Sequence, residues 1–261
     1  MHPVILQFGS FKLPAYGLMV ALGYAAGILY LFRRSSSLGF SRETLSDLVF
    51  YSVVAGMIGA KLFYAFTYWD SFGGGFGERA LYALRTFQYG FVFYGGLIFG
   101  AAAFWGFARF RKLDALAAAD LFAPALALGH AFGRVGCFLA GCCHGRPSGN
   151  FLAVVFTDPR CEVAPQLLGV PLYPVQLMEA AGNLVIFAVL DAVLRRRHGR
   201  GAVLAAYAAL YSLQRFLLEF LRGDDRGALH LGVSPAQWIS AAVMLLAAAA
   251  MWSIRTDHEK K

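Results

Sequence analysis

Apolar stretches of about 20 residues, the length a helix needs to cross the hydrocarbon core of a bilayer, recur along this entire chain. They fall at about 14–32, 47–68, 90–108, 117–140, 174–194, 202–221 and 235–254. Inside hydrocarbon every backbone N–H and C=O has to be satisfied within the chain itself, so the seven runs predict seven helices and an all-α membrane protein. Composition agrees: 59% of residues are apolar, 15% are charged, and the mean hydropathy is +0.58, far from the balance of a soluble domain. The first run has no basic segment before it and no small-residue cleavage site after it, so it reads as a span and not as a removable signal peptide.

Orientation follows from the basic residues. With the N-terminus outside, the inner loops hold Arg33, Arg34, Arg42, Arg109, Arg111, Lys112, Arg195, Arg196, Arg197, Arg200, Arg255, Lys260 and Lys261. The outer side holds fewer: Lys12, Arg79, Arg85, Arg146, Arg160, Arg222 and Arg226. Basic residues favour the cytoplasmic side, which predicts an N-out, C-in topology. The net charge of +8 is then mostly a topology signal with an attraction to anionic lipid. It points away from nucleic acid as a partner; a basic surface for a soluble protein is the competing reading.

The whole of 1–261 reads as a single seven-span transmembrane domain with two longer outer segments. Segment 69–90 mixes glycines with an amphipathic stretch (Leu81, Leu84, Phe87) suited to an interfacial helix. Segment 144–173 sets turn residues around the short apolar run FLAVVF and reads as a small cap insertion outside the membrane.

Charges inside the spans are the candidate functional residues. Arg134 lies in LFAPALALGHAFGRVGCFLAGC, one helical turn after His130. Arg215, Glu219 and Arg222 fall at i, i+4 and i+7 of a later apolar run, on one helix face. A charge near the bilayer centre costs roughly 2.5–3.5 kcal/mol on the lenient insertion scale, and such residues usually face a water-filled cavity. Lys61 either joins them or snorkels its ammonium to the interface. Glu219 either serves the site or only neutralises Arg215. With Glu219 counted as the one carboxylate within the spans, the excess of positive charge predicts an anionic ligand. In a membrane the abundant anion is a phospholipid phosphate.

Six runs now carry a resemblance: YGLMVALG at 16–23, GAKLFY at 59–64, YGGLI at 94–98, HAFGRVG at 130–136, YPVQLMEA at 173–180 and RFLLEFLRGDD at 215–225. In that order, over essentially the whole chain, they resemble the prolipoprotein diacylglyceryl transferases. The resemblance implies a seven-span bacterial inner (cytoplasmic) membrane enzyme, N-out and C-in, with a small periplasmic cap and no cofactor. It implies transfer of the diacylglyceryl group of phosphatidylglycerol to the lipobox cysteine of prolipoprotein signal peptides, with release of glycerol-1-phosphate, the first step of lipoprotein maturation. Arg134 is similar to the arginine of the family's H-x-x-G-R-x-G motif, and Arg215 with Glu219 to its R-x-x-x-E pair. Tyr16 corresponds to the tyrosine of the first span and Gly145 to the glycine closing the signature. The expected catalytic set is Arg134, Arg215, Tyr94, Tyr16 and Glu219. Arg134, Arg215, Lys61, His130, Cys137, Cys142, Gly145 and Arg222 are expected to bind substrate.

Three signature positions depart from G-R-x-G-N-F-x-N-x-E, since Cys137, Ala140 and Cys142 stand for its two asparagines and its glutamate. Tyr94 stands where the family has a histidine, the natural acceptor of the thiol proton at near-neutral pKa. The thiols Cys137, Cys142, Cys143 and Cys161 admit helix-end packing, a disulfide from Cys161 in an oxidising compartment, or a metal, for which the C-x4-C-C-H spacing is a loose match. The expected site carries no metal. Competing classes are a thiol-redox or metal-dependent membrane enzyme built on these cysteines, and a non-catalytic phospholipid-binding or transport protein.

Overall fold

The computed structural model describes residues 2–9, 11–35, 39–86, 90–196, 198–224 and 231–259. Phe87 of the amphipathic stretch, Asp225 of the last resemblance run, and Arg197, Arg226, Lys260 and Lys261 of the charge pattern lie outside the described residues. The architecture is helical, with two small two-stranded sheets.

Seven long helices coincide with the seven apolar runs: α1 (Ala15–Arg34), α2 (Arg42–Thr67), α4 (Phe93–Phe110), α5 (Ala115–Ala140), α6 (Val175–Leu194), α7 (Ala202–Glu219) and α8 (Pro235–Glu259). The short α3 (Phe76–Arg85) occupies the amphipathic stretch. Five of these helices (α1, α2, α5, α6 and α8) are long and apolar enough to cross a membrane by length and composition. The other two have 18 residues each. Tyr207, Tyr211, Ser212, Gln214, Arg215 and Glu219 dilute the apolar character of α7, and α4 carries the charged Arg109 in its last turn.

The chain divides into two compact units. In the unit formed by residues 32–118, Ser41 caps α2 by accepting from Thr44 N at 3.1 Å, and α2 packs on α4. The other unit comprises 1–31 and 119–261, where α6 packs on α7 and α7 on α8. There Asp120, buried in α5, accepts from the backbone N–H of Gly201 (2.7 Å) and Leu204 (2.8 Å), capping the start of α7 with a side chain from another helix. At α8, Gln237 N donates to Ser234 Oγ and Ser234 N donates to Gln237 Oε1, a reciprocal cap ahead of Pro235 at the first helical position.

Two β features were not anticipated. Strands β1 (Val4–Phe8) and β2 (Phe11–Pro14) form an antiparallel hairpin before α1, with Gly9 at φ 58 where the chain turns. In the cap segment β3 (Val154–Val155) pairs with β4 (Pro171–Leu172). Phe156, Cys161, Val163 and Leu172 bury themselves together beneath that pair.

Candidate active site

Three helices of the larger unit bring polar side chains to one place. On α5, His130, Arg134 and Cys137 recur at i, i+4 and i+7, so they share a face. On α6 the same spacing logic aligns Gln176, Glu179 and Asn183, all buried. On α7 it aligns Tyr211, Arg215 and Glu219.

Glu179 is the hub, with 1% of its surface exposed. Its Oε2 accepts a hydrogen bond from Arg134 Nη2, and Arg222 Nη1 stands 4.0 Å from the same oxygen. Tyr211 donates to Oε1 at 3.5 Å, and His130 Nε2 is 3.7 Å from it. The Glu179 backbone carbonyl accepts from Asn183 Nδ2 (2.9 Å) and from Gln214 Nε2 (3.1 Å). Gln214 needs Gly182 for this approach, since a Cβ there would lie 2.0 Å from its amide oxygen.

The expectation of a single carboxylate within the spans is therefore corrected. Glu179 lies inside the fifth run, on α6, and it neutralises Arg134. Arg215 donates to Glu219 at 2.5 Å, and Ser234 donates to the other Glu219 oxygen at 2.8 Å. Arg222 donates twice to Asp224, at 3.0 and 2.9 Å. Each arginine thus has its own acidic partner, and what the site offers an anion is unused donors, not surplus charge. Among the described residues Arg134 Nε is buried with no hydrogen-bond partner, and its Nη1 donates to Cys137 Sγ at 3.7 Å. An unpaired buried donor is costly to leave unmade, so this edge of the guanidinium is disposed to take an incoming oxygen.

The two arginines expected to act together each lie one helical turn from one of two neighbouring rings, Arg134 from His130 and Arg215 from Tyr211. His130 and Tyr211 stand 4.9 Å apart, and the charges of Arg134 and Arg215 both act on each of them. Tyr16 packs across from Gly136, where a Cβ would lie 3.2 Å from the tyrosine ring, and it feels Arg134 and the nearby thiols. Gly145 pairs antiparallel with Arg222, and a Cβ on it would meet the Tyr173 carbonyl at 2.5 Å. Only glycine lets that strand tie the end of α7 to the start of α6. Tyr94 and Lys61 belong to the other unit. There Lys61 Nζ donates to the Thr86 carbonyl at 2.7 Å, and Tyr94 sets its ring edge-on to Phe93.

All four cysteines are free. Cys161 belongs to the cap core, so the disulfide considered for it is not formed. The Sγ atoms of Cys137, Cys142 and Cys143 all lie within 4.8 Å of one another. Gly141, at φ 86, ends α5 and lets Cys142 donate back to the Cys137 carbonyl. Past the helix end, hydrogen bonds from Cys137 and Cys142, then the guanidiniums of Arg222 and Arg134, hold the Cys143 thiol below the ordinary cysteine range. Cys142, sharing hydrogen bonds with both neighbours, is pushed above it.

Sequence reasoning missed Glu179, Tyr211, Asn183, Gln214 and Asp224. The signal for Glu179 was present as a carboxylate inside an apolar run, which also holds Asp191 near its C-terminal end; the neutral groups look like ordinary polar interruptions of a helix.

A model of the prolipoprotein diacylglyceryl transferase family matches residues 3–253. The chain is 32% identical over 245 residues to phosphatidylglycerol–prolipoprotein diacylglyceryl transferase 2 of Clostridium perfringens, covering 94% of this chain and 92% of that protein. The corresponding transferase of Clostridium tetani is 31% identical over 246 residues, covering 94% and 95%. That of Pseudoalteromonas atlantica is 32% identical over 269 residues, covering 98% and 91%.

Proposed function

The chain belongs to the prolipoprotein diacylglyceryl transferase family, and on that premise we propose that it moves the diacylglyceryl group of phosphatidylglycerol onto the lipobox cysteine of a prolipoprotein signal peptide. In the step, the cysteine thiol gives up its proton, which ends in solvent, and the sulfur forms a bond to the terminal glyceryl carbon. The bond from that carbon to the phosphate oxygen breaks, and glycerol-1-phosphate departs with the electron pair. Negative charge therefore grows on phosphate oxygens.

The observation that carries this reading is the Arg134 guanidinium, fixed by Glu179 and buried with its Nε lacking a partner among the described residues. A planar donor held in advance in a water-poor site stabilises charge developing on a phosphate better than solvent does. Arg215, steadied by Glu219 and Ser234, would supply the second guanidinium, with His130 and Tyr16 in reach of the thiol and headgroup, and Tyr94 would keep the role expected of it from its place at the start of α4. Lys61 and Arg222 would bind anionic lipid, and Gly145 would hold the Arg222 segment in place. In this reading all seven long helices cross the cytoplasmic membrane with the N-terminus outside and the C-terminus inside. Segment 144–173 then forms the outer cap, and 69–90 lies along the outer interface.

Complementation of a bacterial strain depleted of its own diacylglyceryl transferase tests the proposal. Growth with diacylglyceryl-modified prolipoprotein is the expected result. Membrane-inserted protein with no modified prolipoprotein would overturn it.

A further inference from the structure

We propose that Cys137, Cys142 and Cys143 bind a zinc ion as three thiolates and leave its fourth position open for the acceptor's thiol. The first half stands on the chain's own geometry; the second rests on the transferase reading above.

Three sulfurs within 4.8 Å of one another are close to what one zinc requires. At a Zn–S distance of about 2.3 Å, tetrahedral thiolate ligands sit about 3.8 Å apart. Small torsional adjustments of three short side chains close the difference. The backbone is arranged to produce this cluster. Cys143 has φ 58, a left-handed conformation that side chains rarely adopt and that is kept where surrounding structure enforces it. Gln176 Nε2 donates to the Cys142 carbonyl at 2.8 Å, clamping the turn from α6.

The electrostatics suit a metal thiolate. Zinc with three thiolates carries one net negative charge, and Arg134 Nη1 stands 3.7 Å from Cys137 Sγ while Arg222 acts on Cys143. Soft thiolate ligands select zinc or copper(I) over harder cations. The C-x4-C spacing of Cys137 and Cys142 lies at the long end of zinc-ligand spacings. The sequence reading expected no metal because spacing alone does not show that Cys143 turns back toward Cys137.

Three protein ligands with an open fourth position is the arrangement of catalytic, not structural, zinc. A thiol that takes the open position is deprotonated on binding; its proton passes to water. The bound sulfur then attacks the glyceryl carbon as the carbon–oxygen bond to phosphate breaks. Zinc remains on its three cysteines throughout. The nucleophile would sit one side chain away from Arg134, the group proposed to receive the leaving phosphate.

The test uses the full-length protein purified in detergent from zinc-supplemented cells. Elemental analysis should find about one zinc per chain, and none in the Cys142→Ser/Cys143→Ser double variant. Thermal unfolding and gel filtration of that variant establish that it is folded. Cobalt(II) in place of zinc should show thiolate-to-metal charge-transfer absorption, shifted by a lipobox peptide containing cysteine and not by the same peptide with serine. Zinc below about a tenth of an equivalent, equal zinc in a folded double variant, copper in place of zinc, or a disulfide among the three cysteines in alkylated, non-reduced protein would each overturn the site. Cobalt bands indifferent to the cysteine peptide would overturn the acceptor's place on it. Zinc content and the cobalt spectrum of the peptide-free protein need neither lipid nor transfer, so failure of complementation leaves those readouts standing.

Discussion

The α5–α6–α7 region and the α2–α4 pair solve the same problem by opposite means. Helices surrounded by lipid gain little from hiding apolar side chains on each other, so close packing or polar pairing must hold them. The α2–α4 pair uses shape. A Cβ on Gly59 would lie 2.4 Å from Phe99 Cβ and 2.6 Å from the Gly95 carbonyl, and one on Gly95 would lie 2.4 Å from the Gly59 carbonyl. Gly56 and Gly100 continue the seam, each with a facing backbone oxygen near 3.2–3.3 Å. The α5–α6–α7 region instead joins its helices through Glu179, with Arg134, Tyr211, Gln214 and Asn183 converging on it. Shape alone fixes a scaffold. Charge fixes a scaffold and also leaves reactive groups where a ligand can use them.

The most severe way to break this contrast is Glu179→Leu, which strands Arg134 as a buried unpaired cation. Removing one partner of a buried pair costs about 3–5 kcal/mol, so the variant should lose most of its thermal stability in detergent. Arg134→Leu/Glu179→Leu should recover much of that stability and none of the transfer. Recovery of transfer would show that the pair is only structural. Next is Gly59→Val on the shape side. It forces a side chain against backbone, and overpacking costs about 1–3 kcal/mol, read as a lower unfolding temperature. A variant as stable as the parent would mean that α2 and α4 do not depend on this close approach. The smallest effect is expected far from both, at Arg160→Ala. Arg160, itself exposed, holds the partly covered Asp158 at about 2, a lowered carboxylate pKa. Any stabilisation is present above the ordinary carboxylate range and fades as pH falls through about 2. Near neutral pH a surface pair with its arginine in solvent contributes little, and unfolding temperature and transfer should match the parent.

How legible each region was follows from the same contrast. All seven long helices were readable because an apolar run of about 20 residues has few other uses. Arg134 and Arg215 were readable because cations inside such runs are rare. Glu179 escaped by a miscount of carboxylates, and with it the fact that Arg134 is already neutralised. Tyr211, Gln214 and Asn183 carry no charge to mark them, and only the packing of α6 on α7 makes them partners. The glycines of α2 and α4 read as apolar filler until their facing backbones are placed. The hairpin at 4–14 had a signal in Gly9 between two apolar pairs, but it lies so near the first span that it reads as a lead-in.

We propose that Arg134, positioned by Glu179, carries the phosphate through transfer. This is tested most directly by mass spectrometry of a synthetic lipobox peptide incubated with purified protein in phosphatidylglycerol vesicles. The parent should convert the peptide to its diacylglyceryl thioether. Arg134→Lys should retain only a small fraction of the rate, because a point charge replaces a two-pronged donor, and Arg134→Ala should fall by at least about 100-fold while remaining folded. Parental conversion by folded Arg134→Ala would contradict the account.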